Sequence, residues 1–329
     1  MASANHVLAF EKEIGELEVL LARLEAKAEG EGSSGDEVRH IRRELNNLIR
    51  KTYTDLSSWD TVQVARHPNR PQTLDYIGMI FDEFVELHGD RAIGDDRAIR
   101  SGFAQLGEHR VVLIGHQKGH NLKERNECLY GCAHPEGYRK ALNRMKLAAK
   151  FRLPIICLID TPGAYPGIGA EERGQAQLIA VNLFEMSRIR TPIICVVIGE
   201  GGSGGALGIG IGDRVSMLEF AYYSVISPEG CAGILWKEAN DQTKRLAAEA
   251  LQLRARDLFN LRVIDDIIAE PLGAAHRNPR EMGRLLKEYL LRYLRDLKQI
   301  PIDELLAQRY QKFRRIGVFD EGLKAEETT

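Results

Sequence analysis

The chain has 329 residues and a formal net charge of −2, enough for one large domain with additions and too balanced for a general polyanion-binding protein. Its apolar runs stay far below the ~18–20 residues of a membrane-spanning helix, and the opening MASANHVLAFEKEI lacks the basic-then-apolar order of a signal peptide. Five cysteines, an odd number with Cys157 and Cys195 inside apolar runs, suit a reducing cytoplasm better than a disulfide framework.

Phe10, Ile14, Leu17, Leu21 and Leu24 recur at alternating spacings of four and three, and Val38, Ile41, Leu45 and Leu48 continue the seam. Residues 8–60 therefore read as helical. The polar turn Glu29–Asp36 separates two amphipathic helices, with Ser34 and Glu37 placed as a capping box for the second. Their apolar stripe needs a cover, either the chain's own domain or a partner. His67–Pro71, with two prolines, breaks the helix. Leu74–Leu87 resumes helical periodicity, and Ser101–Ala104 and Val111–Gly115 read as strands around the turn Gly107–His109. The polar segment Gln117–Tyr138 is long for a structureless connection, so it is mobile or functional. It carries Lys118, Lys123 and Arg125. His116, His120, Cys128 and Cys132 are candidate metal ligands, but they lack the tight cysteine pair of structural zinc sites. A solvated loop is the plainer reading. Tyr138–Phe151 reads as a basic amphipathic helix.

An internal repeat follows. Pro154–Ile159 is PIICLI and Pro192–Val197 is PIICVV, 38 residues later. Such short runs rich in β-branched residues favour strands buried on both faces. The first copy leads into Asp160–Gly169, DTPGAYPGIG, and a helix over Glu171–Arg188. The second run, Ile193–Ile198, is expected to stop at Gly199 and lead through a glycine turn to a helix starting near Gly204–Leu207. Two strand–turn–helix units suggest a repeated α/β superhelix. A third unit is visible in Val215–Leu218, Ser224–Ile226 and a helix opened by Ser227–Gly230, with Pro228 in its first turn. Helices over Lys244–Leu261, Glu281–Leu297 and Asp303–Phe313 follow, and the polar tail from Glu321 is expected to be disordered.

The glycine stretch supports competing readings. Gly199, Gly201 and Gly204 fit the dinucleotide fingerprint, with Glu219 near the position of its acidic residue. Gly201, Ser203 and Gly205 fit a hydrolase nucleophile elbow, for which His276 is the one histidine later in the chain. A third reading is an oxyanion hole without a side-chain nucleophile. Gly163 and Ala164 follow one repeated strand, Gly204 and Gly205 the other, and two such turns could aim backbone N–H groups at one oxygen. The fourth is close helix–sheet packing that binds nothing.

Seven segments carry a resemblance: ARHPNRPQTLDYI (Ala65–Ile77), IGHQKG (Ile114–Gly119), PEGYRKAL (Pro135–Leu142), IDTPGAYPGIGAEERGQA (Ile159–Ala176), VIGEGGSGGALGIGIGD (Val197–Asp213), YSVISPEGCA (Tyr223–Ala232) and EPLGAAHRNP (Glu270–Pro279). From Leu8 to Phe319 the chain resembles the alpha-subunit family of bacterial-type acetyl-coenzyme A carboxylase carboxyltransferases. The resemblance implies a crotonase-type α/β superhelix of ββα units over residues 67–300, after a helical hairpin region (1–66) and before a C-terminal helix and tail (301–329). It implies transfer of a carboxyl group from carboxybiotin, presented by a biotin carboxyl carrier protein, to acetyl-coenzyme A. The product is malonyl-coenzyme A for fatty acid biosynthesis. It also implies a zinc-ribbon beta subunit in an α2β2 assembly, biotin carboxylase in the holoenzyme, and no metal in this chain. No membrane or nucleic-acid partner is expected. By resemblance Gly204 and Gly205 are the catalytic glycine pair and Gly163 and Ala164 the opposite wall. Gly201, Gly202, Ser203, Tyr165 and Pro166 lie on the carboxybiotin side. Two places depart from the family pattern: Asn121–Ala133, with Cys128 and Cys132, and Ala274–Ala275 where GGAH is expected. A serine hydrolase using Ser203, or a non-catalytic scaffold of the same fold, are the alternatives.

Overall fold

The structure is a computed structural model and describes residues 6–31 and 35–317. Ser34 of the expected capping box and the tail from Glu321 lie outside the described residues. Eight strands, β1 (Glu83–Glu86), β2 (Ile99–Leu106), β3 (His109–His116), β4 (Ile155–Thr161), β5 (Ile193–Gly202), β6 (Arg214–Leu218), β7 (Tyr222–Ser224) and β8 (Asp266–Ile268), form one sheet among the described residues. Its order is β1-β2-β3-β4-β5-β6-β8, and β7 pairs with the end of β5. β1 to β3 are antiparallel, whereas β3, β4, β5, β6 and β8 run parallel.

The sequence repeat sits at the centre of this sheet. Ile155 to Ile159 pair with Ile193 to Val197, each with the residue 38 positions on, so the two copies of the repeat are neighbours in register. Every residue of both strands is buried, as continuous apolar runs in a parallel sheet require. Helix Pro135–Phe151 presents Tyr138, Ala141, Met145 and Ala148 to this core, and helix Pro279–Gln299 presents Met282, Leu286, Leu290 and Leu294. No helix among the described residues is long and apolar enough to cross a membrane.

The N-terminal helices Lys12–Glu31, Gly35–Thr54 and Ser58–Ala65 follow the expected seam, with a break before Ser58. Part of their stripe is covered by the chain itself. Ile14, Leu45, Ile49 and Tyr53 pack with Phe220 and Ala274, and Arg277 pairs with Glu11 at 2.6 Å. His67 and Arg70 of the proline-rich break are buried rather than part of a loose connection. Arg70 pairs with Glu270 and donates to the Ile198 carbonyl at 2.8 Å.

Several expected elements are corrected. The helix expected over Leu74–Leu87 ends at Ile80, because Glu83–Glu86 is recruited as β1 against β2. The helix expected over Glu171–Arg188 is two helices, Ile168–Glu172 and Gln175–Arg188, broken where Gly174 takes φ +79°. The one expected over Lys244–Leu261 is likewise split into Asp241–Ala250 and Ala255–Asn260, with Gln252 between them at φ +46°. The polar segment Gln117–Tyr138, read as mobile or functional, holds helix Leu122–Glu127, the turn Leu129–Gly131 and the start of the helix at Pro135.

Candidate active site

β4 and β5 pair residue for residue up to Ile159 and Val197, and then slip. Thr161 faces Gly201, an offset of 40 instead of 38. A slip leaves backbone groups without ladder partners, and buried ones must find others. The Glu200 N–H donates to the Asp160 carboxylate at 2.9 Å, and the Ile198 carbonyl takes the Arg70 guanidinium. The glycine run is therefore not a turn as expected. β5 continues through Gly199, Glu200, Gly201 and Gly202, buried throughout, and passes directly into the five-residue helix Ser203–Leu207.

A buried charge network anchors the slip. Lys118 contacts Asp160 at 3.1 Å and Glu200 at 2.5 Å. Arg66 pairs with Glu200 at 2.7 Å and also with Glu229, while the Tyr222 hydroxyl donates to Glu200 at 2.6 Å. Burial works to raise both carboxyls. At Glu200 the two cations overcome it and hold the group at about 2, whereas at Asp160 burial, with the Glu200 charge, prevails over Lys118 and the Glu200 N–H, and the pKa rises. Burial works against the charged form of Lys118 too, but the two carboxylates raise its pKa.

Beyond the slip, the turn after β4 and the junction of β5 with its helix meet through their backbones. A Cβ added to Gly205 would lie 2.5 Å from the Gly163 carbonyl carbon and 2.6 Å from the Ala164 nitrogen. A Cβ on Gly202 would lie 2.1 Å from the Pro162 oxygen. Glycine at these two positions lets one chain lie on the other. Gly204 is different, since its Cβ would face Ile179 at 3.4 Å, an ordinary contact. The Gly163 N–H is engaged by the Thr161 hydroxyl at 3.1 Å. The Ala164 N–H has no acceptor among the described residues. Gly204 and Gly205 lie in the first turn of their helix, where N–H groups have no intrahelical partner. Tyr138 and Asn182 brace that helix from below: the Tyr138 hydroxyl donates to the Gly205 carbonyl at 3.3 Å, and Asn182 donates to the Gly208 carbonyl at 2.8 Å.

The remaining expected site residues fall around this contact. Tyr165 is half-buried against the His134 ring at 4.2 Å, Pro166 is exposed, and Gly201 packs on Tyr223. Ser203 is exposed at φ +46° and has no histidine partner among the described residues. His276 instead stacks on His67 at 3.9 Å, and burial, with neighbouring positive groups, lowers its pKa to about 2. The hydrolase reading therefore lacks its base. Gly199 and Gly201 are inside a strand, so the dinucleotide reading lacks its phosphate loop. His116, His120, Cys128 and Cys132 do not gather, and no metal-holding cluster exists among the described residues. Of the expected loop cations Lys118 is half-buried in the network, Lys123 is exposed, and Arg125 donates to the Gly119 carbonyl at 3.3 Å. Asp160, Thr161, Glu200, Arg66 and Tyr222 were missed in the sequence reading. For Asp160, Thr161 and Glu200 the available signal is polar residues at the ends of apolar runs that lead into glycines; Arg66 and Tyr222 carry no such signal.

A family model described as acetyl co-enzyme A carboxylase carboxyltransferase-like matches residues 7–317. The chain is 58% identical over 312 residues to the acetyl-coenzyme A carboxylase carboxyl transferase subunit alpha of Rhodopirellula baltica, covering 95% of this chain and 97% of that one. It is 52% identical over 315 residues to the subunit of the same name from Methylococcus capsulatus, covering 95% and 98%. Among solved structures, transcarboxylase 12S with hydrolysed methylmalonyl-coenzyme A bound is similar in fold, with TM-score 0.53 and 22% identity over 69% of this chain. The matched region is 44% of that larger chain.

Proposed function

This chain belongs to the alpha-subunit family of acetyl-coenzyme A carboxylase carboxyltransferases, of crotonase-type α/β fold, and on that premise we propose that the contact between its two turns is the reaction centre. The activity is carboxyl transfer to acetyl-coenzyme A, forming malonyl-coenzyme A. The observation that carries the site is the backbone contact of Gly205 with Gly163 and Ala164.

The turns suit a planar urea-type group. A Cβ on Gly163 would meet nothing within 4 Å, so space lies open on that wall, and the donors nearby are backbone N–H groups that need no side chain. Carboxybiotin, when bound, supplies the carboxyl group and a ureido oxygen on which negative charge grows as that carboxyl leaves. The Ala164 N–H from one turn and those of Gly204 and Gly205 from the other stabilise that charge. One such donor, aligned in a site that excludes water, contributes roughly 3–4 kcal/mol to lowering the barrier. Gly201, Gly202, Ser203, Tyr165 and Pro166 flank the same group.

A partner completes this site. Leu207 on the helix of Gly205, Ile168 just beyond the first turn, and Val225 just after β7 are exposed, and together they offer apolar surface beside the turns. A carboxyltransferase beta subunit in an α2β2 assembly covers it and carries acetyl-coenzyme A. A biotin carboxyl carrier protein delivers the biotin, and biotin carboxylase charges it, in the cytoplasm. The test is reconstitution with a family beta subunit, assayed in reverse from malonyl-coenzyme A and free biotin. Transfer by the mixture and none by this chain alone is expected. An inactive, assembled mixture refutes the function, and full activity without beta refutes the shared site.

A further inference from the structure

We propose that Thr161 is a positioning residue for this reaction: its buried hydroxyl locks the turn that carries Ala164 into place opposite Gly205. The inference rests on the oxyanion site proposed above and assigns a part to a side chain that touches no substrate.

Thr161 ends β4 and is completely buried. Its Oγ1 lies 2.7 Å from the Gly131 carbonyl oxygen and 2.8 Å from the Gly163 carbonyl oxygen, and it accepts the Gly163 N–H at 3.1 Å. A hydroxyl has one proton to give and two lone pairs. Its one proton is shared in a three-centre bond between the Gly131 and Gly163 carbonyls, which lie at nearly equal distance, while a lone pair takes the Gly163 N–H, so one atom links Gly163 to a neighbouring segment. Two consequences follow. The Gly163 N–H is occupied, which leaves Ala164 as the donor of this turn. The orientation of the Ala164 peptide is then set by a side chain, whereas Gly204 and Gly205 are oriented by a helix.

The neighbouring segment is itself shaped around the turn. Leu129, Tyr130 and Gly131 have φ of +49°, +55° and +86°, a run of left-handed residues that only surrounding contacts sustain. Gly131 is held by Thr161, and a Cβ on it would lie 3.0 Å from the Asp160 carbonyl oxygen. Two residues on, the Ala133 carbonyl accepts the Tyr165 N–H at 3.0 Å and the Gln175 amide at 2.7 Å. Residues 129–133 thus grip the far side of the same turn at Thr161 and at Tyr165. They lie within residues 121–133, the segment whose sequence alone reads as outside the family pattern.

Thr161→Val keeps the shape and removes the hydroxyl, while Thr161→Ser keeps the hydroxyl. Both are assembled with the beta subunit and compared with Gly205→Ala, with kcat expressed per assembled complex. Displacing one donor by a fraction of its hydrogen-bond length is expected to lower kcat of Thr161→Val about ten- to hundredfold, with KM for malonyl-coenzyme A changed less than about threefold. Thr161→Ser is expected within about threefold of the parent. A merely structural threonine would change the yield or melting of the complex and leave its kcat alone. Should the valine variant fail to assemble, Thr161→Ala is read against the same numbers. Near-parental kcat in Thr161→Val, or equal losses in valine and serine, overturns the positioning role if Gly205→Ala is crippled. If Gly205→Ala is near parental as well, the oxyanion site itself is wrong and the positioning role falls with it.

Discussion

The two copies of the repeat are alike up to Ile159 and Val197 and unlike beyond them. In the lower part, residues 155–159 and 193–197 pair at a constant offset, carry apolar side chains, and are buried throughout. In the upper part the register slips by two, and the same strands carry Asp160, Thr161 and Glu200 with a run of glycines. Where the repeat is symmetric it builds a core. Where the symmetry breaks, backbone groups are released from the ladder, side chains and partners take them up, and two bare turns come to face each other. A parallel ladder in perfect register would have consumed Glu200 N–H and Ile198 C=O within the sheet.

The largest effect is expected at the charges that sustain the broken half. Lys118→Met leaves Asp160 and Glu200 buried beside each other without their shared cation. Removing one partner from a buried ionic group typically costs about 3–5 kcal/mol. Arg66 still serves Glu200, so the lower end of that range is expected in chemical denaturation. A loss below about 1 kcal/mol would mean that the slip is held by packing alone.

The smallest effect is expected at Ser203. Its side chain is exposed, and alanine keeps the backbone N–H. Ser203→Ala should stay within about threefold of parental kcat, while a nucleophile would show a loss of a thousandfold or more. A loss of that size in a folded, assembled variant would contradict a site made of backbone.

The symmetric half was legible because it depends on local pattern. Six-residue apolar runs repeated in the sequence became adjacent strands, and the glycine-containing segments after them lie near each other. The broken half was less so. Arg66 meets Glu200 across 134 residues and Lys118 meets Asp160 across 42, and nothing in the local composition predicts those pairs. β1 and β8 were missed for a related reason: they have four and three residues, too few for an alternation to show, and their pairing partners define them. Gly199 and Gly201 were assigned to a turn because glycine is a poor strand former. Here β5 runs on through them because it pairs with β7, Gly201 opposite Tyr223 and Gly202 opposite Ser224, and glycine is needed because Asp160 and Tyr223 leave no room for a Cβ.

On the reading proposed above, Gly205 acts through its backbone against the turn of Ala164. Gly205→Ala and Gly204→Ala, each assembled with the beta subunit, measure it in one experiment. The added methyl at Gly205 must displace Gly163 or Ala164, whereas at Gly204 it meets only Ile179 at 3.4 Å. Displacement of an oxyanion donor costs about 10²–10³ in rate. Circular dichroism, size exclusion and kcat on the same preparations should show both variants folded and assembled. Gly205→Ala is expected to be at least about a hundredfold slower than the parent, and Gly204→Ala less than about tenfold slower. A folded, assembled Gly205→Ala with near-parental kcat would contradict the claim.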